Sequence, residues 1–287
     1  MKPATIREII EKIGSGLGQL YSDPAEGKTV AELLLMELLH TSRAGLYCIG
    51  GRIDDPGMLK AIQEGFSRLL NNEPVQYVLG KAWFGGMELI VAPGVLIPRP
   101  ETEELVEWIV ENHKHDEDQI EILDIGSGSG CIPLALKKRL PLADVSAMDF
   151  SEQAMAIAAE NARVHKLDIK LALRDIFAKD FDFTSDKKLI VVSNPPYILD
   201  KERAEMSERV LKFEPEAALF VPDSDPLLFY KRILTLFENS AAEIYFEINP
   251  LMVDQFSTEP TFSQRKLQLR KDIHGRQRML LLNLVAV

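Results

Sequence analysis

LDIGSGSGCI, residues 123–132, places three glycines at alternate positions directly after a short apolar stretch. The residues IEILDI (120–125) are typical of a buried strand, and a helical pattern follows the glycines from residue 130. A strand, a glycine-rich loop and a helix in this order are typical of α/β proteins that bind a nucleotide-containing ligand at the loop. The stretch therefore predicts an α/β fold with a ligand site at the carboxyl end of this strand.

Strand and helix patterns alternate on both sides of this loop. The predicted helices cover residues 100–114, 130–140, 151–166 and 226–240. The predicted strands cover residues 120–125, 144–150, 168–173, 188–193, 242–248, 266–273 and 278–286. Such alternation predicts a parallel sheet with helices on both faces. Only HGRQ (274–277) separates the last two strands, so we expect a seven-stranded sheet with one antiparallel strand near the C-terminus.

The first 80 residues carry apolar side chains at helical spacing instead. One such stripe consists of Ile6, Ile9, Ile10, Ile13 and Leu17. Gly85 and Gly86 then separate two β-prone runs, which is a hairpin signal. We therefore expect a helical domain over residues 1–80, a β-hairpin linker over 81–96 and an α/β domain over 97–287.

Charge and composition limit the classes of partner. The 287 residues carry a net charge of −11, which argues against a protein that binds mainly to nucleic-acid phosphates. No apolar run reaches the length of about 18 residues that a membrane span needs, and the N-terminus lacks the apolar block of a signal peptide. The two cysteines form no disulfide framework and the histidines show no metal spacing. We expect a cytoplasmic protein, monomeric, without a metal and without membrane or direct nucleic-acid partners.

The glycine loop departs from the dinucleotide fingerprint, since Cys131 stands where a third glycine of G-x-G-x-x-G would be. Asp124 precedes the loop, and Asp149 ends the next predicted strand. An acid at Asp124 would repel a pyrophosphate but would suit a sulfonium cation, and Asp149 could accept hydrogen bonds from a ribose diol. The pattern favours S-adenosyl-L-methionine over NAD. The alternative is that the glycines serve only a tight turn.

Residues after the third strand are also placed at this edge of the sheet. Asp175 could accept a hydrogen bond from an adenine amino group, with Ile176 or Phe177 against the ring. A capping aspartate with Phe177 in the core explains the same residues without a ligand.

The fourth strand ends in Asn194, Pro195, Pro196 and Tyr197, at the same edge of the predicted sheet. The side-chain oxygen of Asn194 and the backbone carbonyl of Pro195 could accept the two hydrogens of a planar amino group. Pro196 would stiffen the loop and Tyr197 would stack on the planar group or line its pocket. The combination predicts methyl transfer to a planar –NH2 group, whereas the alternative is a proline-rich turn that ends a strand.

These motifs together resemble the class I methyltransferases, which are Rossmann-like, and more narrowly the HemK/PrmC family of peptide-chain release factor glutamine N5-methyltransferases. The resemblance covers nearly the whole chain and is carried by PVQYVLG (74–80), LIPRPETEELVE (96–107), LDIGSGSGCI (123–132), SNPPYI (193–198), FEPEAAL (213–219) and DIHGRQR (272–278). It implies methylation of the glutamine in a release factor's Gly-Gly-Gln motif, with residues 1–80 docking the substrate.

The resemblance also implies the site residues. The expected cofactor-binding residues are Asp124, Gly126, Ser127, Gly128, Ser129, Gly130, Asp149, Asp175, Ile176 and Asn194. The expected amide-holding residues are Asn194, Pro195, Pro196 and Tyr197. Two positions depart from the family pattern: Ile176 stands where tryptophan is common, and Asn249 where glycine is usual. We expect weaker or different adenine stacking, an altered loop after residue 248, and no effect of either change on residues 194–197.

Three other functions remain open at this point. Methyltransferases that modify nucleic-acid amino groups also use an N-P-P-[YF] sequence, although the acidic charge and the helical domain speak against them. A relative acting on a ribosomal-protein glutamine differs only weakly in sequence. A non-catalytic partner of the translation machinery is disfavoured by the intact loop and the intact NPPY stretch.

Overall fold

The computed structural model describes residues 1–18, 20–21 and 23–285, and the chain forms two compact units. The first unit comprises Met1–Gly80 and Ser207–Phe213, and the second comprises Lys81–Met206 and the chain from Glu214 onward. Residue 286, the predicted end of the last strand, lies outside the described residues. Among the described residues, no helix has the length and apolar character needed to cross a membrane.

The first unit is mainly helical. Between residues 1 and 80 its elements are β1 (Ala4–Thr5), α1 (Ile6–Leu17), α2 (Pro24–Leu38), α3 (Arg43–Cys48), β2 (Arg52–Ile53), α4 (Pro56–Leu70) and α5 (Val75–Leu79). The stripe of isoleucines predicted for α1 is buried in the core of this unit. Thr5 and Glu8 form a reciprocal capping box that defines where α1 begins, because each side chain pairs with the other residue's backbone N–H.

The second unit is built on the predicted α/β alternation. Its elements are β3 (Lys81–Phe84), β4 (Met87–Ile90), α6 (Pro100–His113), β5 (Ile120–Ile125), α7 (Cys131–Arg139), β6 (Asp144–Asp149), α8 (Glu152–His165), β7 (Lys170–Leu173), β8 (Lys188–Ser193), β9 (Ile198–Leu199), β10 (Phe220–Val221), α10 (Leu228–Leu236), β11 (Ala242–Glu247), α11 (Val253–Thr258), α12 (Pro260–Ser263), β12 (Leu267–Lys271) and β13 (Gln277–Asn283); helix α9 (Glu208–Phe213) lies in the segment assigned to the first unit.

Seven strands form the central sheet in the order β12-β13-β11-β8-β5-β6-β7. All neighbours are parallel except that β13 runs antiparallel to both β11 and β12. The expected seven-stranded sheet with one reversed strand is therefore confirmed. The reversal follows from the short turn between β12 and β13, which leaves no room for a crossover helix.

Alternate residues of the strands face two separate cores. Leu123 and Val191 belong to a cluster that also contains residues of α10, α11 and α12. Ile122 and Val192 belong to a second cluster with residues of α6 and α7. Because side chains alternate along a strand, this division places helices on both faces of the sheet, as expected.

The β3–β4 hairpin belongs to the second compact unit, whereas the sequence suggested a separate linker over residues 81–96. Phe84, Met87 and Leu89 are buried in the same cluster as α6 and α7. Asn161 of α8, which is fully buried, accepts from the N–H of Ile90 at 2.7 Å and donates to its carbonyl at 3.0 Å. Apolar burial and these hydrogen bonds hold the hairpin against the α/β unit. The assignment of residues 207–213 to the first unit is a second departure from the expected boundaries.

Candidate active site

The strand order brings two of the predicted motifs to one place on the sheet. β5 lies between β6 and β8, and Asp124 pairs with Val192 across β5 and β8. At the carboxyl ends of these strands, Ser193 Oγ donates a hydrogen bond to the carbonyl of Ile125 at 2.7 Å. The glycine loop after β5 and the NPPY stretch after β8 therefore start side by side. The chain adds β6 and β7 on one side of β5 and β8 on the other, so the strand order reverses at β5. In open α/β sheets, ligands bind at the carboxyl ends of the strands where this reversal occurs.

Backbone hydrogen bonds hold the glycine loop against β6. The N–H groups of Gly126 and Ser127 both donate to the carbonyl of Met148, at 2.9 and 3.1 Å. The N–H of Gly128 donates to Asp149 Oδ2 at 2.9 Å. Gly128 has a φ of 55°, a left-handed conformation that favours glycine, and a Cβ at this position would meet open space. The loop thus leaves open space beside Gly126 and Gly128, while its two serines are buried.

Gly130 has a different reason for being glycine. It precedes α7 with a φ of 80°, and a Cβ there would lie 3.1 Å from the Cβ of Ala158. Asn161, on the same helix as Ala158, donates to the carbonyl of Ser129 at 2.9 Å. The end of the loop is therefore packed tightly onto α8.

Asp124 is a fully buried acid whose backbone carbonyl accepts from Ser127 Oγ at 3.3 Å but whose carboxylate group is unpaired within the described part of the chain. Among the described residues, neither of its carboxylate oxygens has a partner, and the buried Ser129 Oγ also lacks one. Burial raises the pKa of Asp124 to about 7. A buried carboxylate is unfavourable unless a cation or donor compensates it. These unpartnered oxygens fit a cationic ligand group bound at the loop.

The other predicted cofactor residues lie at the carboxyl ends of β6 and β7. Both oxygens of Asp149 accept backbone N–H groups, those of Gly128 and Ser151, each at 2.9 Å. Asp175 Oδ1 accepts from the N–H of Phe177 at 2.8 Å, which is the capping arrangement expected without a ligand. Asp149 therefore supports the loop itself, whatever else it binds.

The two apolar residues after Asp175 differ in exposure. Ile176 is only 8% exposed and belongs to the core cluster of α10. Its carbonyl accepts from Arg232 Nε at 2.7 Å. Phe177 is 43% exposed and packs edge-to-face against Phe229, with ring centroids 5.5 Å apart. Of this pair, Phe177 has more surface to offer to a ligand ring.

The NPPY stretch presents two acceptors. Asn194 Nδ2 donates to Thr102 Oγ1 at 3.2 Å. Within the described part of the chain, no hydrogen bond reaches Asn194 Oδ1 or the carbonyl oxygen of Pro195. The hydroxyl of Tyr197 donates to Glu247 Oε1 at 3.0 Å, and burial together with the charge of Glu247 raises the pKa of Tyr197. The stretch is thus anchored at both ends while its acceptors stay free.

The side chain of Asn249 contacts the NPPY stretch, contrary to expectation. Its side chain accepts from the N–H of Leu251 at 3.0 Å and donates to the carbonyl of Tyr197 at 3.4 Å. The prediction that this departure leaves residues 194–197 untouched is therefore wrong. Its φ of −70° is one that any residue adopts, so the backbone here does not require the usual glycine.

Two polar residues of this site were not predicted. Thr102 Oγ1 donates to Glu247 Oε2 at 2.6 Å, and both side chains are buried. Glu247 ends an apolar strand as Asp149 does, and that signal could have indicated it. Thr102 carries no comparable signal, because its role depends on a contact with a residue 145 positions away.

The sheet with its reversed strand, the glycine loop and the adjacent NPPY stretch define a methyltransferase. The protein-family model described as "Methyltransferase small domain" matches residues 102–217. The family model described as "PrmC N-terminal domain" matches residues 17–80. Among solved structures, the delta-N METTL16 MTase domain is similar in fold, with a TM-score of 0.50 and 18% identity, covering 70% of this chain and 90% of that one.

Curated relatives show which family of methyltransferases the chain resembles. A release factor glutamine methyltransferase from Bacteroides thetaiotaomicron is 39% identical over 97% of this chain and 100% of its own length. A second, from Flavobacterium psychrophilum, is 42% identical over 75% of this chain and 77% of its own. The chain belongs to the release factor glutamine methyltransferase family.

Proposed function

We propose that this protein transfers a methyl group from S-adenosyl-L-methionine to the side-chain amide nitrogen of the glutamine in the Gly-Gly-Gln motif of a peptide-chain release factor. The names of the curated relatives support this substrate. The observation that carries the proposal is the position of the NPPY stretch, whose two free acceptors start directly beside the glycine loop. A release factor substrate would place the reaction in the cytoplasm.

The residues of the loop fit the cofactor. Asp124 offers two buried, unpartnered oxygens to the positive charge of the cofactor. Gly126 and Gly128 leave open space where side chains would otherwise stand, and Asp149 lies next to them for the ribose. Asp175 and the exposed ring of Phe177 suit the adenine better than the buried Ile176 does. When bound, the cofactor supplies an electrophilic methyl group on a sulfonium.

The residues after β8 fit the amide. A glutamine side-chain nitrogen is planar and a poor nucleophile, and it carries two hydrogens in one plane. Asn194 Oδ1 and the Pro195 carbonyl would accept one hydrogen each, Pro196 would limit the movement of the loop, and Tyr197 would line the pocket. Two neutral hydrogen bonds contribute only about 0.5–1.5 kcal/mol each. Holding the nitrogen in line with the methyl group can contribute about 7–11 kcal/mol, so positioning dominates.

The remaining parts of the proposal concern the protein substrate. The first unit, over residues 1–80, would provide part of the surface that docks the release factor. We expect a monomeric enzyme that acts on protein and not on free nucleic acid.

Incubation with methyl-labelled S-adenosylmethionine tests the proposal. Mass spectrometry of the digested release factor should show the mass of one labelled methyl group added at the glutamine of the Gly-Gly-Gln motif. A release factor with that glutamine changed to asparagine should take no label. Label on bare RNA or DNA, with none on release factor, would instead support a nucleic-acid amino-methyltransferase.

A further inference from the structure

A buried carboxylate lies behind the NPPY stretch and has no part in the proposed contacts to cofactor or amide. Glu247 is 1% exposed at the carboxyl end of β11. Its Oε2 accepts from Thr102 at 2.6 Å and its Oε1 from Tyr197 at 3.0 Å, while Tyr230 donates to its backbone carbonyl at 3.0 Å. Three hydroxyl groups therefore fix the orientation of this residue.

The hydrogens of this network determine how Asn194 can be oriented. Thr102 has one hydroxyl hydrogen, and the short contact commits it to Glu247. At Asn194, 3.2 Å away, Thr102 Oγ1 therefore offers only lone pairs. The amide NH2 of Asn194 can face those lone pairs, whereas its oxygen would be repelled. Asn194 Oδ1 is consequently turned away from Thr102.

We propose that Thr102 and Glu247 are positioning residues that hold the Asn194 amide in the single orientation that presents its oxygen to the substrate nitrogen. This inference rests on the proposed function. An Asn194 amide flipped by 180° would present N–H donors to a nitrogen that also carries hydrogens, and the contact would be lost. Thr102 and Glu247 act through Asn194 and Tyr197 rather than on the substrate.

Burial raises the pKa of Glu247 above its ordinary value, and the hydrogen bonds from Thr102 and Tyr197 and the charge of Arg278 only reduce that rise. The acceptor role of Glu247 rests on geometry, since Thr102 Oγ1 and Tyr197 Oη lie 2.6 and 3.0 Å from its two carboxylate oxygens. Arg278 is itself held by the buried Asp272, which accepts from its Nε at 3.0 Å. Thr102 from LIPRPETEELVE and Arg278 from DIHGRQR thus both act on Glu247, although neither stretch contains a residue assigned above to the cofactor or the amide.

The test compares Thr102→Val, which removes the hydroxyl at nearly constant shape, with Thr102→Ser, which keeps it. The first readout is the NMR signal pair of the Asn194 side-chain NH2 in the protein without substrate, assigned from its absence in Asn194→Asp. Thr102→Ser should retain the wild-type signals. Thr102→Val should shift them and speed their exchange with water by about 10-fold or more.

Kinetics provide the second readout. Thr102→Val should lower kcat for release factor methylation by about 10-fold or more with an unchanged Kd for S-adenosylmethionine, and Thr102→Ser should restore kcat. Wild-type NMR signals and wild-type kcat in Thr102→Val would overturn the inference. If the wild-type protein leaves release factor unmethylated, the proposed function fails, yet the NMR comparison still decides the orientation of Asn194.

Glu247→Gln provides an independent variant if Thr102→Val does not fold. A glutamine amide can donate to or accept from Thr102, so the hydroxyl hydrogen is no longer committed. The Asn194 side-chain signals should then shift or double, because both amide orientations become accessible. Unchanged signals in a folded Glu247→Gln protein would contradict the inference.

Discussion

The Nη2 group of Arg99 donates to both carboxylate oxygens of Glu214, at 2.7 and 2.8 Å, and Glu214 also accepts from the N–H of Ile97 at 3.3 Å. The two partners are 115 residues apart in the sequence, and the Glu214 side chain is almost completely buried. The pair connects the residue that precedes α6 with Glu214 of the FEPEAAL stretch. It therefore helps to hold in place the helix that carries Thr102.

Replacing Arg99 with alanine should destabilise the protein by about 3 kcal/mol, because it leaves a buried carboxylate without its partner. Arg139→Ala is the matched control, since Arg139 also pairs with a glutamate of the α6 region, Glu107, but both side chains are 44% exposed. That exposed pair should contribute about 0–1 kcal/mol. Urea denaturation measures both values, and equal losses in the two variants would contradict the role given to Glu214.

Asp124 should make the stability of the cofactor-free protein depend on pH. Its folded pKa is raised by burial to about 7, whereas an unfolded aspartate titrates near its ordinary, lower value. The folded state therefore binds the proton more tightly, and stability falls as pH rises from about 4 to about 7 and then levels off. The loss is at most about 4 kcal/mol, and Asp124→Asn should remove this component. Denaturation at pH 5 and pH 8 compares the two proteins, and identical pH dependence would contradict the burial of an ionisable Asp124.

The same carboxylate should couple cofactor affinity to pH. A bound cation favours ionised Asp124, so the Kd for S-adenosylmethionine should fall as pH rises through about 7, with release of a proton. Calorimetric titration in two buffers of different ionisation enthalpy counts that proton. Asp124→Asn should bind more weakly and without proton release. Wild-type binding that shows no buffer dependence near pH 7 would argue against this pairing.

Gly128→Ala should weaken cofactor binding more than it weakens the fold. The left-handed φ costs an alanine about 1–2 kcal/mol, and its methyl group would occupy the open side of the loop. Gly80→Ala is the matched control, because Gly80 has a φ of 72° and equally open surroundings at the end of α5. Both variants should lose similar stability in thermal denaturation. Only Gly128→Ala should raise the Kd for the cofactor, and a matching rise in Gly80→Ala would refute a local effect.

Asn194→Ala should lower kcat on the order of 100-fold and leave the Kd for the cofactor nearly unchanged, since the variant removes an acceptor that acts on the reacting nitrogen. Asn112→Ala is a control amide in the same unit, where Asn112 donates to Tyr245 Oη at 2.8 Å near the other end of α6. Its kcat should stay within about twofold. Steady-state methylation of the release factor measures kcat of both variants. Unchanged kcat in Asn194→Ala would contradict the role assigned to Asn194 as an acceptor.

Much of this protein follows from local sequence patterns. The predicted strands 120–125 and 188–193 match β5 and β8 in full, because short apolar runs between polar residues and turns are a strong local signal. Alternate glycines before a helix, and prolines after a strand, likewise identify the loop and the NPPY stretch. These features depend on residues within a few positions of one another, so they can be recognised without knowing the fold.

Other features depended on strand order and packing, which place distant residues in contact. Asn194 meets Thr102 across 92 positions and Thr102 meets Glu247 across 145, so no local pattern indicates either contact. The hairpin joins the α/β unit through burial of Phe84 and its neighbours, although its sequence alone suggested a linker. Sequence by itself determined which elements form and which acceptors are available. Tertiary structure decided the direction in which Asn194 points, because its orientation depends on a hydroxyl hydrogen held by an acid on another strand.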